Sequence, residues 1–351
     1  MHTNNFIETD ENLFFRLTAV WAFNEAALGG ILHALKIPFT GLFIGGAAAV
    51  LISMIAFHSK QRGAIIRAAA IVLLVKGIIA PHTPIAAYFA VSIQALLGEL
   101  LFLSSRNYKL SALMLAVITS LLSSTQKIIL STIIFGITLW ESIDAFAIYV
   151  INQFIFTADP KSIPSFSALL ITGYIFIHLL GGIFFGLFAA ALPDKLNGWI
   201  VKYGDYLSSM RTIQSVQNIE PPISSRKRRK FKHLIMFGFI ILFGILTYFD
   251  LGIPKNKFSD AVIMLVRSIT IIVVWFFAAA PLLKNFIKKY LSKRENRYKT
   301  EIENIVDLFP LFRGAFNVSK TIALKQTGIK KISTFISLYL TLLFFSERFN
   351  E

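Results

Sequence analysis

The stretch Pro38–Phe57, PFTGLFIGGAAAVLISMIAF, runs for 20 residues without a charge. At 1.5 Å per residue a helix of that length measures about 30 Å, the thickness of a bilayer's hydrocarbon core. Five more apolar runs surround it in the first part of the chain, near 13–34, 63–80, 84–104, 110–139 and 166–192. Two more follow, near 234–250 and 261–283, and a short last one at 332–345 either crosses the membrane or lies in its interface. The expected fold is all-α: a polytopic membrane protein with a six-helix bundle, then two or three further membrane helices and cytoplasmic amphipathic helices.

Composition agrees. Of 351 residues, 55% are hydrophobic and 15% charged, at a mean hydropathy of +0.66. Soluble domains carry roughly 25% charge. An ordinary soluble enzyme and a disordered chain are both excluded. The N-terminus opens on Asn4, Asn5, Glu8, Asp10 and Glu11, and its apolar run is too long for a signal-peptide core. There is no cysteine, so disulfides, thiol nucleophiles and thiolate metal sites are ruled out.

The net charge of +16 is uneven. Residues 1–194 hold 10 Lys/Arg and 9 Asp/Glu, and residues 195–351 hold 25 and 10. Three regions follow: a six-span unit over 1–194, a basic linker over 195–232, and a region over 233–351 with basic helices near 284–331. Basic residues also alternate with the spans. Lys60, Arg62 and Arg67 follow span two, and Arg106 and Lys109 follow span four. Lys195, Lys202, Arg211 and Arg226–Lys230 follow span six. The opposite loops hold Lys36, an uncharged Pro81-His82-Thr83-Pro84 turn, and Glu141, Asp144, Asp159 and Lys161. By the positive-inside rule the N-terminus is cytoplasmic; the expected location is the inner (cytoplasmic) membrane, as a multi-pass protein. The run Arg226–Lys232 reads as this topology signal, with no nucleic-acid motif beside it.

Small residues recur every fourth position: Thr18, Ala22, Ala26 and Gly30 in span one, Gly41, Gly45, Ala49 and Ser53 in span two, and Gly182, Gly186 and Ala190 in span six. Such stripes let helices approach closely, for packing within the chain or for docking a partner. Polar residues inside spans are costly and tend to face a cavity or a partner. They are Asn24 and Glu25 in span one, Lys76 in span three, Gln94 and Glu99 in span four, Gln126 and Lys127 in span five, and His178 in span six. His82 sits in the outer turn between two prolines. Lys76, His82, Gln94, Lys127 and His178 are the candidate ligand residues, and the cations among them suit an anionic solute. Each has a plainer reading. Lys76 can snorkel outward, Lys127 can pair with Glu25 or Glu99, and His178 can bond a backbone carbonyl. Glu25 and Glu99 read as structural pairing groups. The segment 141–165, with Phe146, Tyr149, Phe154 and Phe156, is too interrupted to span and reads as an amphipathic cover on the outer side.

Catalytic signatures are missing. There is no His-Glu-x-x-His, no Gly-x-Ser-x-Gly and no Walker A loop, and the spans hold too few aspartates for a magnesium–diphosphate site. No second histidine clusters with His2 for a metal, and nothing brings His33 and His178 together for haem. The chain reads as a non-enzyme without a cofactor.

Six short spans, cytoplasmic ends, no nucleotide site and Ala22-x-x-x-Ala26 on span one together resemble the substrate-binding S components of energy-coupling factor (ECF) vitamin transporters. The resemblance covers about residues 10–194. It implies uptake of a vitamin or related micronutrient from outside, with docking through Ala22, Ala26 and Gly30 onto a transmembrane T component driven by two ATPases. The region 195–351 departs from that family. Ile302, Ile305, Val306, Phe309, Phe312 and Phe316 form a helical apolar stripe there. It reads as a helix on the anionic inner leaflet or as a T-like coupling piece. The alternative function is a non-transport membrane scaffold whose basic region recruits a partner. A membrane enzyme acting on lipids is a third.

Overall fold

The structure is a computed structural model. It describes residues 3–29, 32, 39–59, 61–80, 85–105, 107–154, 165–209, 257–274, 281–282, 285 and 299–345. The described residues form helices and turns, with no strand. Helix α1 (Thr3–Phe23) continues into a π-turn (Asn24–Leu28). Then come α2 (Thr40–His58), α3 (Ala64–Ile79), α4 (Ile85–Ser104), α5 (Tyr108–Phe135), α6 (Thr138–Phe154), α7 (Phe166–Ser209) and α8 (Lys257–Val274). A helical stretch over 299–307 leads into α9 (Phe309–Ala323) and α10 (Gly328–Phe345).

Among the described residues, four helices are long and apolar enough to cross a bilayer: Thr40–His58, Ala86–Ser104, Tyr108–Phe135 and Phe166–Tyr203, with mean hydropathies of 2.1, 1.7, 1.6 and 2.3. These are four of the six expected in the first part. α1 and α3 occupy the other two expected positions, α3 with only 16 residues and two cations, Arg67 and Lys76. The expected span at 234–250 and the run Arg226–Lys230 lie outside the described residues. Of the expected span 261–283, α8 covers residues to Val274, and 275–280 lie outside the described residues.

The chain forms two compact units. One comprises Met1–Leu121, Leu179–Glu220 and Lys288–Glu351, and the other Leu122–His178 and Pro221–Ile287. The charge boundary at 194 falls inside α7, which is continuous to Ser209, and residues 299–345 belong with the N-terminal helices.

In the first unit α2 is the central helix, with 72% of its span buried, whereas 22% of α4 is buried. The core includes Leu17, Trp21, Ile52, Ile55, Ile71, Leu115, Leu192 and Ile305. Outward faces stay apolar: Phe89, Leu96, Leu100 and Leu103 on α4, and Leu180, Phe184 and Leu187 on α7, are more than half exposed. That pattern suits lipid contact and would be a liability in water. Glycine permits the closest approach. A Cβ at Gly182 would lie 2.9 Å from the Val117 Cα, and one at Gly186 would lie 2.8 Å from the Leu113 Cα. The span-six stripe therefore seats α7 backbone on α5 backbone.

One end of this unit is tied by polar contacts. The Gly63 N–H donates to Glu99 Oε1 (2.6 Å), and Lys109 pairs with Asp194 (3.1 Å). Arg67 lies over the Phe14 and Phe15 rings and reaches Glu301 (3.6 Å). Pro193 within α7 has no N–H for the Ala189 carbonyl. The Tyr108 hydroxyl donates to that oxygen instead (3.1 Å). A cavity of about 510 Å³ opens here, among Phe57, Asn107, Tyr108, Lys109, Ala190, Pro193 and Asp194.

Most of the stripe over 302–316 packs on protein, while Phe316 at its end stays 43% exposed. Ile302, Ile305 and Phe312 are 6%, 0% and 3% exposed in the same core as Leu13, Leu17 and Ala22, and the Phe23 ring meets Phe309 and Phe312 edge-on.

In the second unit, Gly136 at φ +76° turns the chain from α5 into α6, a conformation favouring glycine. Asp144 on α6 accepts from the Ser167 N–H (2.6 Å) and from the Ser167 (2.8 Å) and Ser165 (3.0 Å) hydroxyls, fastening α6 to the start of α7. Those bonds, the backbone N–H foremost, hold its carboxyl below the usual carboxylate range. Residues 141–154 of the expected outer cover are thus a helix, with Phe146 and Tyr149 more than 60% exposed, and 155–164 lie outside the described residues.

Candidate functional site

The first unit's interior holds a polar cluster built around the π-turn. A π-turn inserts a residue into a helix, and such turns concentrate at functional sites. Here the Gly29 N–H closes onto the Asn24 carbonyl. The consecutive residues Asn24 and Glu25 are both buried, each 5% exposed. Asn24 Nδ2 donates to the Ile44 carbonyl of α2 (3.1 Å), which fixes α1 against that helix. Glu25 faces α3, where Lys76 Nζ lies 2.6 Å from its Oε2, both side chains no more than 5% exposed. The same Nζ stands 5.8 Å from the centre of the Tyr88 ring on α4, within cation–π range. Also on α4, Gln94 packs its Nε2 against Gly45, next to Ile44, and Gln94 Oε1 has no hydrogen-bond partner among the described residues.

Ionised groups buried this deeply persist only when paired, and a satisfied pair is retained more for specificity or function than for stability. The cluster offers an anion, a cation, an aromatic face and a free acceptor. Exchange at Lys76 or Glu25 would admit a ligand carboxylate or ammonium.

Among the candidate ligand residues, Lys76 and Gln94 belong to this cluster. Lys76 does not snorkel, because Glu25 holds it inside. Lys127 is exposed on α5 in the second unit and is not the partner of Glu25 or Glu99, which bond Lys76 and the Gly63 N–H. His178, also in the second unit, is fully buried with Nδ1 3.0 Å from the Tyr174 carbonyl, a bond within its own helix. His82 lies outside the described residues. Among the docking residues, Ala22 and Ala26 are 0% and 4% exposed, so this chain's own helices cover them. Gly30 lies outside the described residues.

Sequence reasoning missed Tyr88, the bond from Asn24 to Ile44 and the pairing of Glu25 with Lys76. A signal for the pairing existed. In the expected six-span order, spans one and three would run in the same direction, and Glu25 lies 12 residues into 13–34 while Lys76 lies 13 residues into 63–80. At 1.5 Å per residue that order would put both at a depth of about 18–20 Å.

The class of protein defined by these features is an all-helical, membrane-embedded one with a charged pair in its interior. No protein-family model, curated protein or solved structure matches the chain. No group of three or more potential metal-ligating residues occurs among the described residues.

Proposed function

We propose that this protein is a micronutrient-uptake subunit of the ECF S-component type. It binds a small vitamin-like solute from the outside and couples to a transmembrane T component and separate ATPases. On this reading all six segments of the first part cross the inner membrane and the N-terminus is cytoplasmic. The observation that carries the proposal is the buried Glu25–Lys76 pair at the π-turn, with the unsatisfied Gln94 carbonyl in the same interior. Ionisable residues at membrane depth mark ligand or ion pathways more often than they serve as scaffolding. The alternation of basic loops and the resemblance over residues 10–194 add support.

The test is a thermal-stability screen of the purified protein against vitamins and cofactor precursors. A ligand at 100 times its Kd stabilises by about 2.7 kcal/mol. A hit that shifts the wild type and not a folded Glu25→Gln/Lys76→Met variant supports the proposal. A broad library without any shift removes it.

A scaffold without transport activity is the second reading. The closure of Lys76 by Glu25, and the burial of Ala22 and Ala26 under the chain's own helices, favour it.

A further inference from the structure

The turn joining α9 and α10 carries a surface that the fold does not use. Every residue from Leu324 to Ser333 is exposed, and Gly328 at φ +58° sets the bend. Ile329, Ile332 and Ile336 recur at i, i+3 and i+7 and are 86%, 62% and 38% exposed, and Leu324 is 55% exposed. They form a stripe distinct from the packed one of Leu338 and Leu342, which are 0% and 2% exposed. Lys325, Lys330 and Lys331 stand exposed among these apolar residues. The charge is one-sided. From Phe309 through Phe345 the chain holds Arg313, Lys320, Lys325, Lys330 and Lys331 and no Asp or Glu.

Exposed isoleucines alone identify no occupant. Isoleucines interleaved with lysines, on a hairpin without acidic residues and tethered to a membrane-embedded unit, match an acidic bilayer surface. Apolar side chains enter its interface while ammonium groups meet phosphates. We propose that the α9–α10 turn is an anionic-lipid-binding element, in which Leu324, Ile329 and Ile332 insert and Lys325, Lys330 and Lys331 bind lipid phosphates. The assignment is independent of any solute the protein carries.

The chain has no cysteine, so single-site labelling is clean. Ile329→Cys and, separately, Ile332→Cys are labelled with a fluorophore, and the full protein is placed in nanodiscs containing a quencher-bearing lipid. The discs are either phosphatidylcholine alone or phosphatidylcholine with phosphatidylglycerol. Both positions are exposed, so the label leaves packing intact, and wild-type elution checks this. Quenching is expected in the phosphatidylglycerol discs, and weakening at high salt. Each lysine lost should raise the anionic lipid needed by about five-fold, hence about 100-fold for Lys325→Gln/Lys330→Gln/Lys331→Gln. Equal quenching in both disc types, indifferent to the triple substitution, overturns the proposal. So does an unquenched label in both, which would leave the tip to a soluble partner.

Discussion

Replacing Lys76 with Met strands the Glu25 carboxylate in the interior of the first unit. The two groups lie 2.6 Å apart with side chains 3% and 5% exposed, so neither reaches water when the other is lost. Removing one partner of a buried pair costs about 3–5 kcal/mol, a loss of at least two orders of magnitude in the folding equilibrium. Glu25→Gln strands Lys76 in the same way, with the Tyr88 ring face as partial relief. The double substitution Glu25→Gln/Lys76→Met removes both charges, and replacing a whole buried pair by neutral groups is often close to neutral. The expected result is therefore strong coupling: each single variant is severely destabilised, and the double variant is more stable than either. The assay is a double-mutant cycle, read as unfolding midpoints of detergent-solubilised protein together with recovery of monodisperse material. Additive losses, with the double variant worst of all, would refute the pair as a coupled, solvent-excluded unit.

Gly186→Val should force α7 off the Leu113 backbone and cost about 1–3 kcal/mol or more, while Gly173→Ala, with nothing within 4 Å of its Cβ, should be tolerated. Unfolding midpoints of the two variants check this. Tyr108→Phe leaves the Ala189 carbonyl, already freed by Pro193, without its donor. The expected loss is about 1–3 kcal/mol, with faster amide exchange in α7 around Pro193. Asp144→Asn should loosen the junction of α6 and α7, seen as faster exchange at the Ser167 amide. The Asp144 carboxyl titrates below its ordinary value in the folded chain. Its contribution is therefore present above about pH 4, the unfolded value, and is lost as pH falls through the lower folded value. Wild type should approach the variant on acidification, and the variant should show no such step.

How far the sequence revealed this arrangement depended on the length of the signal. Uninterrupted runs such as Thr40–His58 declared themselves, because twenty apolar residues admit few alternatives. α3 was harder. Arg67 and Lys76 interrupt it, and in the fold Lys76 meets Glu25 while Arg67 lies over aromatic rings and reaches Glu301. Such partners come from other helices, so only depth counting could have suggested them. The π-turn has no composition of its own, and only the adjacent Asn24 and Glu25, awkward in one apolar helix face, hinted at it. The small stripe of span one was ambiguous because burial and docking use the same residues, and the cover over Ala22 and Ala26 comes from helices distant in sequence. The stripe over 302–316 looked lipid-facing because periodicity reports an apolar face and not what covers it. The charge boundary at 194 falls inside α7, because loop charge records orientation and helix length records packing.

On the proposed uptake function, the interior around Glu25 and Lys76 holds a small solute. Mass spectrometry of small molecules released from gently purified protein tests it most directly. The prediction is a compound that co-purifies with the wild type and is absent from the folded Glu25→Gln/Lys76→Met variant. A compound released equally from both proteins, or none from either after supplementation with vitamins and cofactor precursors, would contradict it.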